Sequence, residues 1–182
     1  MNKNQNNTIK DKFGNEYRFK ELYELKSNQT EYHIMFFNNE NKNIGSIFAV
    51  TRKNGKNTEI EYYIHDKKYE GRGIATAMLQ TMTQKLFEED QLHTIPHQFK
   101  PKYTSALDTV FLTISYNDEQ KNEASLRVAQ KCGFYTPEPK YGGVSATLTR
   151  QEFFDQKAKA HAFKKQLDSG PKTTTPISER VA

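Results

Sequence analysis

Gly71-Arg72-Gly73 lies between a strand-like run, Thr58-Glu59-Ile60-Glu61-Tyr62-Tyr63-Ile64-His65, and a helix-like run that begins at Ile74. Residues of this type at this spacing can bind phosphate. Glycines let backbone N–H groups approach anionic oxygens, and a helix N-terminus adds partial positive charge. Arg72 can add a full charge. No Gly-Lys-Ser/Thr follows, so this is not a P-loop, and Thr76 stands where the dinucleotide fingerprint needs a third small residue. Taken alone, the pattern also describes a tight turn whose glycines only permit positive φ. On the preceding run, period-two alternation puts Glu59, Glu61 and Tyr63 on one face, opposite Ile60, Tyr62 and Ile64. That face offers two carboxylates to proton transfer, and an ordinary solvated strand face has the same appearance.

A second motif follows another strand-like run, Thr109 to Tyr116. It reads Asn122-Glu123-Ala124-Ser125-Leu126-Arg127-Val128-Ala129-Gln130-Lys131-Cys132-Gly133-Phe134. The two motifs, in this order and on these elements, resemble the GNAT acetyltransferases, most closely their ribosomal-protein N-terminal acetyltransferase-like branch. That family reads R/Q-x-x-G-x-G/A after its fourth strand and N-x-A-S-x-x-V/L-x-x-K-x-G-F after its fifth. The resemblance covers residues 44–150. It implies an α/β (α+β) fold, a mixed and mostly antiparallel twisted sheet of six or seven strands flanked by helices. It also implies acetyl-coenzyme A as co-substrate, no metal, and direct transfer to an amine of a protein, peptide or small molecule in a ternary complex.

The resemblance assigns roles by position. Glu70, Gly71, Arg72, Gly73, Ile74, Ala75 and Thr76 would form the pyrophosphate cradle. The backbone of Tyr63, Ile64 and His65 would pair with pantetheine, one of its N–H groups serving as oxyanion donor. Asn122 would cap its helix and hold the pantetheine arm, and Ser125 would contact the sulfur. Acetyl transfer also needs the amine deprotonated, because an ammonium has no lone pair. Glu59 falls where many GNATs place this base, and Glu61 lies one pleat nearer the loop. A carboxylate can serve only if its pKa rises toward neutral or if a water relays the proton.

Three features depart from the family pattern. Glu70 replaces the usual Arg or Gln, which puts a carboxylate beside the expected pyrophosphate, with Arg72, Lys67 and Lys68 at hand to offset it. Ala129 stands where many GNATs carry an acid tyrosine. Only Lys26 to Thr30 separates the first two strands expected, so the two helices that usually follow the first strand are missing. The first two departures motivate an alternative, a catalytically weak GNAT-like module that binds coenzyme A or a partner.

Composition sets the remaining bounds. A chain of 182 residues fits one domain. The expected bounds are a polar segment at 1–15, the acetyltransferase-like domain at 16–167 and a tail at 168–182. Mean hydropathy is -0.91, and no apolar run approaches the roughly 18–20 residues of a membrane-crossing helix. The N-terminal residues carry no apolar segment, so no secretory signal is expected. One cysteine, Cys132, excludes an internal disulfide, suits a reducing cytoplasm and is read as a buried apolar residue. The tail from Ser169 to Ala182 leaves export through a C-terminal signal open. A net charge of +5 favours anionic ligands, coenzyme A among them. The cations form no dense tract, which argues against a nucleic-acid arm. A monomer or dimer is expected. His93 and His97 are spaced i, i+4, but Pro96 intervenes and no acidic ligand motif surrounds them.

The positioning elements follow from periodicity. Strands are expected at Tyr17–Leu25, Glu31–Phe37, Ile44–Lys53 and Thr58–His65 as an antiparallel meander, with Asn54-Gly55 turning the last hairpin. A helix over Ile74–Glu89, a loop at 91–108, a strand at Thr109–Tyr116 and a helix over Glu119–Cys132 come next. Short strands near Phe134–Thr136 and Val144–Leu148 precede a helix at Gln151–Leu167. In that last helix Phe153, Phe154, Phe163 and Leu167 suggest packing on the domain. Residues 1–15 are expected to be frayed.

Overall fold

A computed structural model describes residues 7–25, 29–52, 56–88, 107–115, 122–137 and 143–168. Its elements are β1 (Thr8–Lys10), β2 (Glu16–Leu25), β3 (Gln29–Phe37), β4 (Asn43–Arg52), β5 (Asn57–Ile64), α1 (Ile74–Phe87), β6 (Thr109–Ser115), α2 (Glu123–Lys131), β7 (Gly143–Thr149) and α3 (Arg150–Asp168). The strands form one seven-stranded sheet in sequence order. Every neighbouring pair is antiparallel except β5 with β6, which run parallel. This is the mixed, mostly antiparallel architecture expected from the sequence. Only residues 26–28 separate β2 from β3, too few for a helix. His93, His97, the Asn54-Gly55 turn, nearly all of the 91–108 loop and residues 169–182 lie outside the described residues.

Alternation gives the sheet two distinct faces. Tyr32, Ile34, Phe36, Ile47, Ala49 and Ile60 are buried on one, and α1 packs over them through Ile74, Met78, Leu79, Met82 and Leu86. These helical positions recur at near-helical spacing, so a single stripe is buried. The other face carries His33, Phe48, Glu59, Glu61 and Tyr63, and no described helix covers it. There His33 stacks on Phe48 with ring centroids 5.4 Å apart, and Phe48 stacks on Tyr63 at 6.0 Å.

Two expectations are corrected. The polar start of the chain is ordered from Asn7 onward, with β1 pairing to β2 from Thr8↔Arg18 to Lys10↔Glu16. Ile9 and Asp11 are buried there. The extra strand makes the family's fourth strand β5 in this chain. The C-terminal helix packs only at its start. Phe153 contacts Phe87 with centroids 5.2 Å apart, and Arg150 donates to the carbonyls of Leu107 at 2.8 Å and Phe87 at 2.9 Å. Farther along, Phe163 is 63% exposed.

Candidate active site

The cradle is built where β5 hands over to α1. Asp66 accepts from the Lys68 N–H at 3.1 Å and starts a single 3-10 turn, Lys67–Tyr69. Gly71 and Gly73 then take φ of 65° and 84°, a left-handed conformation that other residues adopt only with strain. Gly73 is the N-cap of α1 and its carbonyl accepts the first helical bond, from Ala77 at 3.0 Å. The N–H groups of Ile74, Ala75 and Thr76 therefore have no partner within the helix. With Glu70, Gly71 and Gly73 they line a cavity of about 600 Å³, whose opposite wall is α2 through Ala124, Ser125, Arg127, Val128 and Lys131. Unpaired amides and a helix N-terminus opposite two cations fit a pyrophosphate.

Arg72 is not part of that lining. Its Nη2 lies 2.8 Å and its Nε 3.0 Å from Asp11 Oδ2, and its carbonyl accepts from Lys12 N–H at 2.9 Å. This corrects the expectation that Arg72 supplies charge to the phosphate. The guanidinium instead ties the loop to the turn after β1. Asp11 is fully buried at its carboxylate. Burial alone would raise its pKa, but hydrogen bonds from the Asn15 side chain and backbone, the Phe13 N–H and the Tyr17 hydroxyl outweigh this and hold it well below the usual carboxylate range. Arg72 is thus unable to offset Glu70, which is exposed on the cavity wall, and Lys68 is engaged with Asp66 at 3.6 Å. Arg127 and Lys131 are the cations that line the cavity. Lys131 belongs to the second motif, and Arg127 stands one helical turn before it, so the i, i+4 spacing was a signal available in the sequence.

A wedge opens beside the cradle. β5 and β6 pair only from Asn57↔Thr109 to Glu59↔Phe111 and then diverge. The ladder decides which backbone groups face it. His65 N–H donates to Ile44 O at 3.0 Å. Antiparallel bonds are exchanged by alternate residues, so Tyr63 and His65 turn their polar groups toward β4, while Tyr62 and Ile64 turn theirs toward the wedge. This corrects the backbone assignment for Tyr63 and His65, whose polar groups are used by β4; those of Tyr62 and Ile64 face the wedge. The His65 ring sits 3.3 Å from Ser46 Oγ, away from both cavities. Tyr63 lines both cavities and donates its hydroxyl to Glu61 at 2.9 Å.

The wedge holds a second cavity of about 380 Å³ lined by Glu59, Glu61, Thr113, Asn122 and Ser125 among others. Both expected carboxylates are there. Glu59 accepts from Thr113 Oγ1 at 3.0 Å across the wedge. The two cavities share Tyr62, Tyr63, Asn122 and Ser125, so they meet at one junction. Asn122 caps α2 as expected, its Oδ1 accepting from Ser125 N–H at 3.1 Å. Tyr62, to which no side-chain role was assigned, reaches under α2, and its buried hydroxyl has no hydrogen-bond partner among the described residues. Cys132 is part-buried, and burial pushes its thiol pKa up to about 12.

Residues 5–135 match the acetyltransferase (GNAT) domain family. No curated protein sequence matches significantly. Among solved structures, the chain is similar to a point mutant of SpeG spermidine N-acetyltransferase from Vibrio cholerae, with a TM-score of 0.51 and 14% identity over 70% of this chain and 69% of that one. It is also similar to a dodecameric structure of the spermidine N-acetyltransferase from the same organism, with a TM-score of 0.50 and 13% identity over 69% of this chain and 68% of the other. At such identity the likeness to these structures is one of fold.

Proposed function

Because the chain belongs to the GNAT acetyltransferase family, we propose that it is an N-acetyltransferase that moves acetyl from acetyl-coenzyme A directly to an amine. The observation that carries this is the meeting of two cavities, an anion cradle and a carboxylate-lined wedge, at Tyr62, Tyr63, Asn122 and Ser125. The N–H groups of Gly73, Ile74, Ala75 and Thr76 hold the pyrophosphate, with Arg127 and Lys131 supplying charge. The backbone of Tyr62 and Ile64 pairs with the pantetheine arm, and an N–H from one of them receives the developing oxyanion. Glu59 or Glu61 takes the amine proton through water. Ser125 donates to the leaving sulfur. Cys132, with a raised pKa and no place in either lining, carries no acyl group.

The acceptor approaches the sheet face that no described helix covers. Its carboxylates suit a cationic amine, whether on a protein or peptide, as in the ribosomal-protein branch that the motifs resemble, or on a polyamine such as the spermidine named for the structural neighbours. With only residues 26–28 between β2 and β3, no helix from that connection walls this face, which favours a peptide. Glu70 and Ala129 motivate a second reading, a domain that binds coenzyme A with little transfer, and the engagement of Arg72 by Asp11 supports it by removing one of the cations expected to offset Glu70.

Calorimetry with coenzyme A and turnover on a panel of amines and peptides test both readings. Gly73→Asp places a carboxylate in the cradle and should abolish coenzyme A binding; unchanged affinity sinks the cradle assignment. Turnover that drops about a hundredfold or more in a Glu59→Gln/Glu61→Gln double variant supports the base assignment. Tight binding without turnover on any acceptor supports the second reading.

A further inference from the structure

A thiolate leaving group is helped by a hydroxyl donor at sulfur, and helix α2 offers an incomplete one. Position 129, where many family members carry tyrosine, is a buried alanine. Ser125 remains, but an alcohol is a weak donor by itself. The sheet supplies a second hydroxyl nearby. Tyr62 projects from the helix-facing side of β5 toward α2, and the residue lines both cavities where they meet. Its hydroxyl oxygen is shielded from solvent and has no hydrogen-bond partner among the described residues. A buried hydroxyl left unpaired is costly, and native folds rarely keep one without a use. The adjacent groups are Ser125 on α2 and Cys132 at its C-cap. Burial pushes the Tyr62 pKa up, so the phenol keeps its proton throughout the neutral range.

We propose that Tyr62 and Ser125 form a two-hydroxyl relay to the leaving sulfur, with Tyr62 donating to Ser125 Oγ and Ser125 donating to sulfur, in place of the tyrosine that position 129 lacks. The inference rests on the proposed acetyl transfer. In that step the amine nitrogen bonds to the acetyl carbon and the carbon–sulfur bond breaks. Its electron pair moves onto sulfur, where the Ser125 O–H stabilises the thiolate. The Tyr62 O–H, donated to Ser125 Oγ, polarises that bond and fixes the serine rotamer. The amine proton leaves through the Glu59/Glu61 side of the wedge, and the thiolate takes a proton from solvent as it departs. Neither hydroxyl is consumed. Tyr62 acts through Ser125 and is therefore a positioning residue.

The test is a double-mutant cycle on the full chain with acetyl-coenzyme A and any acceptor that the wild type turns over. Tyr62→Phe keeps the ring and the packing, and thermal unfolding checks that the fold survives. Tyr62→Phe and Ser125→Ala should each lower kcat about ten- to a hundredfold, with KM for acetyl-coenzyme A changed by less than about twofold. The double variant should be no slower than the slower single variant. Fluorotyrosine incorporated at position 62 retains the shape with a stronger donor, and should raise kcat above the wild-type value, a response that a packing role does not give. Wild-type kcat in Tyr62→Phe, or fully multiplicative losses in the double variant, overturns the relay. A wild type with no turnover on any acceptor points instead to failure of the proposed function, which separates the two outcomes.

Discussion

Arg72 stands between two left-handed glycines at the mouth of an anion cradle and gives its guanidinium to Asp11. Its local setting favours phosphate, and only the return of the chain's start to this place gives it another partner. The glycines were legible because their requirement is local: the chain must turn with positive φ before a helix. The role of Arg72 was not, because its partner is sixty-one positions away in a segment too polar and too short to read as a strand. Asp11→Asn removes the charge that holds the loop, and should weaken coenzyme A binding severalfold in calorimetry while leaving the Glu59 and Glu61 wedge intact. The pH dependence carries a definite sign. The folded-state pKa of Asp11 is depressed, so its contribution to stability is present above the ordinary carboxyl value of 3.8 and is lost as pH falls through the lowered value. The gap in melting temperature between wild type and Asp11→Asn should be constant from neutral pH down to near 3.8 and narrow as pH falls from there toward the lowered value. A gap that stays open in acid contradicts an ionised clasp.

At the scale of elements, alternation along β5 correctly put Glu59, Glu61 and Tyr63 on one face, since side-chain direction depends only on the strand's own period. It could not say which backbone groups stay free, because that depends on the register with β4 on one side and on where β6 stops pairing on the other. Hence Tyr62 and Ile64, not Tyr63 and His65, face the wedge. The C-terminal helix shows the same limit in another form. Its phenylalanines fit a buried stripe, yet the helix leaves β7 at the sheet edge and has something to pack on only over its first two turns. Phe153 lies against Phe87, Gln156 donates to the Gly133 carbonyl at 3.0 Å, and Lys157 pairs with Glu88. Phe153→Ala should therefore cost about 2 kcal/mol in urea unfolding, below the core value for a phenylalanine because the ring is only half-buried. Phe163→Ser, at the exposed end, should change stability by less than about 0.5 kcal/mol. Equal losses at the two positions contradict the packing seen here.

For the molecule as a whole, the wedge is also a thin seam between two parts of the sheet. On one side stand β2 to β5, joined by long antiparallel ladders, with β1 at the edge, and on the other β6 and β7; between them run only three paired positions, Asn57↔Thr109 to Glu59↔Phe111. Helix α1 contacts α2 across the same seam. A ligand seated between α1 and α2 with its arm along the free edge of β5 touches both sides, and adds contacts where the fold has few. Such a ligand binds the native state alone, since neither the left-handed glycines nor the aligned amides persist in the unfolded chain. Coenzyme A at a hundred times its dissociation constant should then add about 2.7 kcal/mol, which for a chain of this length corresponds to a rise of about 5–11 °C in melting temperature. Gly73→Asp should lose that rise, and Asp11→Asn should shift it to higher ligand concentration. Tyr62→Phe should keep it, because the hydroxyl serves the departing sulfur and the cradle is untouched. A melting temperature that ignores coenzyme A in the wild type contradicts a site spanning the seam, whatever the acceptor.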